Sequence, residues 1–242
     1  MSHIHLPDGI LPVWLWVLGW VLLAGLLFIF KGQFQRERFS SKIPLLAMFA
    51  AVMVISMSLE IVPLFYHINL SVVSGIILGP AWFILCSFVV NLILASFGHG
   101  GITVVGLNSL VISAEGVLGY FMFKALRRIL KKISWAGFVS TFLSLLLSTF
   151  LALGIVAIGK TDLSSAFGIG HKLQPEKSTA LLKFETGEQE THKQEALPQF
   201  DFRKFLFLVL AFGSVGWVLE GLITSGILSY LNKVKPGILE RE

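Results

Sequence analysis

The sequence is dominated by long apolar runs that few charged residues interrupt. These runs cover residues 11–30, 44–65, 70–97, 102–123, 133–158 and 205–231. A helix needs about twenty apolar residues to cross the hydrocarbon core of a bilayer, so each run is long enough to enter a membrane. Because 55% of the residues are hydrophobic and only 14% are charged, the composition excludes a soluble globular domain. We therefore predict an all-α, polytopic membrane protein in contact with the lipid bilayer.

The run at residues 70–97 is interrupted by Gly79-Pro80, which predicts a break in the helix. The run fits either two short antiparallel helices or a hairpin that enters and leaves from one side. Both arrangements return the chain to the face from which it came. Counted as two helices, this run brings the total to about seven transmembrane helices.

Basic residues cluster between the apolar runs. The clusters contain Lys31, Arg36, Arg38 and Lys42; Lys124, Arg127, Arg128, Lys131 and Lys132; and Lys233 and Lys235. Short loops rich in Lys and Arg stay in the cytoplasm, so the clusters predict an N-terminus outside and a cytoplasmic C-terminus. These loops also account for the net charge of +5, and we expect no nucleic-acid partner.

A polar segment, residues 160–202, separates the last two apolar runs. It mixes acidic, basic, Gln and Ser residues without helical periodicity over most of its length, which is typical of a loop of low order. The predicted division is therefore residues 1–159, with the N-terminal segment and six helices, an external loop at 160–202, and residues 203–242, with the last helix and a cytoplasmic tail.

Histidine interrupts otherwise apolar sequence at three places that the predicted topology brings to the outer face. They are the N-terminal MSHIHLPDG, the FYHINL segment around His67 and the FGHGG segment around His99. Imidazole nitrogens bind transition metals, so their convergence on one face indicates a metal-capture site. Apart from the captured ion, we expect no cofactor.

The N-terminus can itself supply several nitrogen ligands. If Met1 is removed, as a small second residue permits, the Ser2 amine and the amide and imidazole of His3 form a fused chelate. If Met1 is retained, an amine, two amides and an imidazole can fill a square plane, and His5 offers a further donor in both cases. This geometry with nitrogen donors is typical of Ni(II) or Cu(II). The alternative is a solvated tail whose histidines have no function.

The remaining polar candidates surround this predicted site. His67 is the first choice for the completing ligand, although an interfacial role also suits it. His99 is either a partner that orients a ligand or a residue of a tight turn. Asp8 and Asn108 are further candidates for the pocket.

Three glutamates lie within the apolar runs, where an ionisable side chain is costly and is a functional candidate by default. They are Glu60, Glu115 and Glu220. Glu60 lies about two helical turns inward from His67, where it would neutralise an arriving cation. Structural hydrogen bonding is the alternative for all three.

Ala47 and Ala51 stand one turn apart on the second apolar run and form a small surface that another helix can approach closely, a pattern also common by chance. The sequence contains no H-E-x-x-H, G-x-S-x-G or P-loop motif, so we do not predict an enzyme. Transport that needs ATP would obtain it from partner subunits.

The segments HLPDGILP, FYHINLSVVSGIILGP and FGHGGITVVGLNSL together resemble the CbiM/NikM family, the substrate-binding membrane component of energy-coupling-factor transporters for cobalt and nickel. The resemblance covers residues 1 to about 159 and resumes weakly in the last run. It implies a seven-helix protein of the prokaryotic cytoplasmic membrane. It also implies that the terminal amine, an adjacent histidine and His67 bind the ion.

The resemblance further implies partners. Ala47 and Ala51 would face the energy-coupling transmembrane subunit, which works with two ATPase subunits, and a small accessory membrane protein is expected. Family members usually begin with Met-His close to an acidic-Gly turn, whereas two extra residues precede HLPDG here. Alignment from the turn matches His5, and alignment from a processed terminus matches His3. Only His3 can form a compact chelate with the terminal amine, which favours Ser2 and His3.

Two functions follow from these patterns. The first is capture of Ni(II) or Co(II) for an ATP-driven importer, and the sequence does not choose between the two ions because the same nitrogen donors accept both. The second is a stand-alone secondary carrier in which Glu60, Glu115 or Glu220 relays protons and the terminal histidines are incidental.

Overall fold

The structure, a computed structural model, describes residues 8–9, 11–36, 39–58, 67–166, 202–235 and 237. The regular elements in these ranges are helices, which confirms the predicted all-α class. In chain order they are α1 (Val13–Ile29), α2 (Lys31–Arg36), α3 (Phe39–Ser58), α4 (Ser71–Leu78), α5 (Pro80–Ser96), α6 (Val105–Ile129), α7 (Ile133–Ala166) and α8 (Phe202–Val234).

Length and composition indicate which helices can cross a membrane. Within the described ranges, three segments are long and apolar enough: Val105–Ile129, Ile133–Ile155 and Gly213–Val234. Val13–Ile29, Lys42–Ser58 and Pro80–Ser96 are apolar but shorter. Helix α4 has eight residues, and it spans only about 12 Å of a hydrocarbon core of about 30 Å. Helix α4 therefore does not cross by itself, and the count of seven spans and the sides of the two termini stay predictions.

Helix α6 is the central element of the fold. It packs against α1, α4, α5 and α7, whereas α3 packs mainly on α5 and α8 mainly on α7. Glycines allow the closest approaches to α6. A Cβ atom added to Gly75 of α4 would lie 2.4 Å from the carbonyl oxygen of Gly116, and one added to Gly106 would lie 2.8 Å from the carbonyl carbon of Gly19 in α1. Small residues let helix backbones meet in this way within membranes.

Helices α3, α5 and α6 enclose a cluster of large apolar side chains. Met53, Trp82 and Phe83 are almost completely buried in it. The ring of Phe34 in α2 packs edge-on against Trp82, with ring centroids 5.0 Å apart. Helix α2 therefore covers part of this cluster.

Several helix boundaries differ from the predicted ones. Residues 31–36, expected within a charged loop, form α2 because Phe34 has an apolar cluster on which to pack. Helix α7 continues to Ala166, so the first residues of the predicted loop at 160–202 extend a helix, and residues 167–201 lie outside the described ranges. The break at Gly79 occurs where predicted, with a φ angle of 83°, which favours glycine.

Candidate metal centre

Two of the predicted histidines lie side by side. The imidazole rings of His67 and His99 have centroids 6.1 Å apart and are nearly perpendicular, at 88°. Both side chains are half-buried. His67 lies shortly before α4 and His99 shortly after α5, so the pair of helices joined at Gly79 brings the two rings together. Two imidazoles this close suit a ligand and the partner that orients it.

The end of α5 fixes the position of His99. The main-chain NH of Gly98 donates to the Ala95 carbonyl at 3.0 Å, and the NH of His99 donates to the Leu94 carbonyl at 2.9 Å. Gly98 has a φ angle of 80°. These are the features of a Schellman motif, in which a left-handed residue ends a helix. The first glycine of FGHGG therefore turns the chain so that His99 faces His67.

Asp8 ties the N-terminal segment to the loop that follows His99. Its carboxylate accepts hydrogen bonds from the main-chain NH groups of Ile102, at 3.0 Å, and Thr103, at 2.9 Å, and from the Thr103 hydroxyl. A Cβ atom added to Gly101 would lie 2.4 Å from the main-chain nitrogen of Asp8. Glycine at position 101 thus leaves the space that Asp8 occupies.

These contacts stabilise the negative charge of Asp8. Chiefly the Thr103 hydroxyl, and then the main-chain NH groups of residues 102–104, lower the pKa of the Asp8 carboxyl below its ordinary value of 3.8, against an opposing effect of desolvation. The same NH groups immediately precede α6, and the start of a helix favours an anion. Asp8 therefore places a negative charge on the loop that follows His99.

The loop that holds Asp8 is the one that begins at His99. Thr103, which binds Asp8, lies four positions after His99, and an extended chain advances about 3.5 Å per residue, so this anchor lies within roughly 14 Å of His99 along the loop. The indole NH of Trp20 donates to the Thr103 carbonyl at 2.8 Å and holds α1 to the same loop. Asp8 is thus held to a loop whose start carries His99.

Asn69, which sequence reasoning did not single out, lies in a buried polar cluster two residues after His67. Its main-chain NH donates to Glu220 Oε1 at 2.5 Å, and its side-chain amide donates to Glu115 Oε2. The sequence shows only that Asn69 is a polar residue between a candidate ligand and an apolar helix. Because the hydrogen-bond partners of Asn69 lie far along the chain, this local pattern does not predict the role of its side chain.

Glu115 and Glu220, both predicted as intramembrane candidates, meet at this cluster. Besides Asn69, the Glu115 carboxylate accepts hydrogen bonds from the hydroxyls of Ser71 and Ser148, each at 2.8 Å. Donors from three elements therefore surround Glu115. The sequence left open structural hydrogen bonding of this kind as one role for these glutamates, with a transport role as the other.

Some of the other predicted site residues lie within the described ranges, and the others lie outside them. Asn108 is buried in the first turn of α6, and Ala47 and Ala51 are exposed on α3. Met1, Ser2, His3, His5 and Glu60 lie outside the described residues. Within the described part, no group of three or more His, Cys, Asp or Glu side chains could hold a metal ion. The described portion of the predicted site is therefore His67, His99, Asp8 and Asn108.

Comparison with known proteins adds independent information. The sequence profile of the family called CbiM, cobalt uptake substrate-specific transmembrane region, matches residues 5–238. A crystal structure described as a truncated transition metal transporter aligns with a TM-score of 0.64, 17% identity, and coverage of 95% of this chain and 99% of that one. Another, described as a transition metal transporter, aligns with a TM-score of 0.63, 19% identity, and coverage of 96% and 93%. At such identities the two structures establish a shared fold. A search of curated proteins gave no match.

Proposed function

Because the chain belongs to the CbiM family of cobalt uptake substrate-specific transmembrane regions, we propose that it is the substrate-capture subunit of an ATP-driven energy-coupling-factor importer for Ni(II) or Co(II). Family membership makes it a membrane-bound transport component rather than an enzyme. The observation that carries the proposed site is the pairing of His67 with His99, whose ring centroids are 6.1 Å apart.

The proposed ligands come from the free N-terminus and from His67. Ser2 supplies the terminal amine, His3 supplies an amide nitrogen and an imidazole, and His67 completes a square plane. His5, and Met1 where it is retained, are the alternative donors. The hydrogen bonds of Asp8 support this set, because they tie Asp8 to the loop that follows His99.

The surrounding residues orient the ligands and attract the ion. His99 orients His67, since a metal-bound imidazole commonly needs a partner at its second nitrogen. Asp8 contributes a negative charge at the entrance, and charge of one sign in a cleft raises the local concentration of an oppositely charged substrate. Glu60 and Asn108 complete the proposed pocket.

The proposed importer also has a defined orientation and a set of partners. The N-terminus faces outside, the C-terminus lies in the cytoplasm, and the protein is an S component with about seven spans in the prokaryotic cytoplasmic membrane. Ala47 and Ala51 face the energy-coupling transmembrane subunit, two ATPase subunits supply the free energy, and a small accessory membrane protein assists. ATP-driven motion then disrupts the ligand geometry and releases the ion inward.

Binding of Ni(II) and Co(II) by the purified protein with a native N-terminus tests the ligand set. The altered forms are a protein with extra residues ahead of Met1 and a His67→Ala variant, and the matched control is His192→Ala in the polar segment. We expect both altered forms to bind more than about 100-fold more weakly, because even outer-shell changes cost about 10–100-fold in metal affinity. Unchanged binding in both would place the metal elsewhere.

A stand-alone, proton-coupled secondary carrier is the second candidate. The observation that favours it is the meeting of Glu115 and Glu220 at Asn69. Proteoliposomes that contain this protein alone separate the two functions. We expect no metal uptake driven by a proton gradient, and uptake under those conditions would favour the carrier.

A further inference from the structure

The loop that carries His67 into α4 is anchored at Asn69. This residue is completely buried, and it donates two hydrogen bonds in different directions. Its main-chain NH binds Glu220 of α8, and its side-chain amide binds Glu115 of α6. The anchor therefore joins the His67 loop to two helices that are far apart in the sequence.

The acceptor on α6 is itself held in place. Ser71, the first residue of α4, donates to Glu115 Oε2, and Ser148 of α7 donates to Oε1, each at 2.8 Å. Glu115 thus gives the Asn69 amide a fixed acceptor.

The backbone next to this anchor has an uncommon conformation. Leu70, between Asn69 and the start of α4, has a φ angle of 27° and a ψ angle of 17°. A bulky residue other than glycine rarely has a positive φ angle, and such a conformation persists only where neighbouring interactions maintain it. The two bonds of the adjacent Asn69 are interactions of this kind.

We propose that Asn69 is a positioning residue that places His67 for the ion by locking its loop to Glu115 and Glu220. This inference rests on the proposed role of His67 as a ligand. Because the two acceptors belong to α6 and α8, a relative movement of these helices breaks one of the two bonds. His67 then leaves its position, and the ion loses a ligand.

The direction of the Asn69–Glu115 bond allows a sharp test. Asn69→Asp replaces the amide donor by a carboxylate that faces Glu115, while the main-chain NH to Glu220 remains. Glu115→Gln in the same chain supplies an amide donor to the new carboxylate, so the double variant reverses the bond and keeps the total charge. A restored bond restores the position of His67, so rescue in the double variant shows that the bond itself, and not either side chain alone, supports metal binding.

The experiment measures the Kd and dissociation rate of Ni(II) for the full-length protein with a native N-terminus. We expect Asn69→Asp to weaken binding about 10–100-fold, the range for residues that support a metal ligand, mainly through faster dissociation. The Asn69→Asp/Glu115→Gln variant should return to within about threefold of the unaltered protein. Weak binding in the double variant, or unaltered binding in Asn69→Asp, would overturn the proposal.

A second pair of variants covers the case in which Asn69→Asp fails to fold. Ser148→Ala removes one donor to Glu115 without changing the loop, and we expect weaker Ni(II) binding. Its matched control is Ser144→Ala, one turn away on α7, where a buried hydroxyl donates to the Thr141 carbonyl of its own helix. Equal affinities in these two variants would also overturn the proposal.

His67→Ala separates the failure of this inference from the failure of the proposed ligand set. If His67→Ala binds Ni(II) as tightly as the unaltered protein, the ligand set is wrong and the role of Asn69 fails with it. If His67→Ala loses binding while Asn69→Asp does not, the role of Asn69 alone is wrong.

Discussion

The carboxylate of Asp8 accepts hydrogen bonds from both the main-chain NH and the side-chain hydroxyl of Thr103, which lies 95 residues further along the chain. These bonds join the start of the chain to the loop between α5 and α6, four positions after His99. Asp8 is exposed and lies outside the helices. A change at Asp8 should therefore act on the position of the proposed N-terminal ligands and leave the helical fold intact.

Asp8→Asn is predicted to weaken Ni(II) binding about 10–100-fold, as expected for a residue that positions a ligand. The amide has one acceptor oxygen where the carboxylate has two, so it cannot accept all three hydrogen bonds. Isothermal titration calorimetry measures the affinity, and a thermal melt without metal checks that the Tm is unchanged. An affinity equal to that of the unaltered protein would contradict this role.

Gly101→Ala tests the same contact without changing any charge. The new Cβ atom would lie 2.4 Å from the Asp8 nitrogen, so it should displace Asp8 and weaken Ni(II) binding as Asp8→Asn does. The control is Gly25→Ala on α1, where a Cβ atom has nothing within 4 Å. Tight binding by both glycine variants would show that the contact with Asp8 is not needed.

The affinity for Ni(II) is predicted to fall as the pH decreases from about 8 to about 5, because amine and imidazole donors must lose their protons to bind, and histidine ordinarily titrates near 6.5. Asp8 does not cause this loss. A carboxyl group with a lowered pKa contributes stability above its unfolded pKa, here 3.8, and loses that contribution only as the pH falls through the lower folded value. The Asp8 contacts are therefore retained throughout the titration.

The Kd measured across this pH range checks the prediction, with Asp8→Asn as the comparison. Both proteins should lose affinity over the same range, with the curve of the variant displaced to weaker binding at every pH. A Kd that does not change with pH would argue against histidine and amine ligands. A pH dependence that disappears in Asp8→Asn would assign the titration to Asp8.

Gly75→Ala is predicted to destabilise the fold. Its Cβ atom would lie 2.4 Å from the Gly116 carbonyl oxygen, and overpacking of this kind lowers the free energy of unfolding by about 1–3 kcal/mol. Gly154→Ala on α7 is the control, because nothing lies within 4 Å of its Cβ position. Thermal melts in one detergent should give a lower Tm for Gly75→Ala, and equal Tm values would contradict the close contact of α4 with α6.

The helices were predictable from local sequence, whereas some of their boundaries were not. Hydropathy over about twenty residues identifies a membrane helix, and the Gly79-Pro80 step indicates the break between α4 and α5. Helix α2 was not predicted because Phe34 of this helix packs against Trp82, which belongs to another helix. A charged segment such as residues 31–36 contains no local sign of that contact.

The candidate site was predictable only in part for the same reason. His67 and His99 were expected on one face because the spans between them return the chain to it, and their rings do meet. Asn69 was missed because its acceptors, Glu115 and Glu220, come from α6 and α8. A hydropathy profile shows that a glutamate within an apolar run is unusual, but it does not indicate which hydrogen-bond donor the carboxylate contacts.

Ala47→Leu and Ala51→Leu are predicted to separate metal binding from transport. Both alanines are exposed one turn apart on α3, so larger side chains there should leave the Tm and the Ni(II) affinity of the isolated subunit unchanged. In the proposed importer the added bulk should prevent the close helix contact that small residues would allow with the coupling subunit, and ATP-driven uptake of Ni(II) should fall at least about tenfold. Ala24→Leu is the control, because Ala24 is equally an exposed alanine but lies on α1. Full uptake by the α3 variants, or an equal loss in Ala24→Leu, would place the coupling surface elsewhere on the protein.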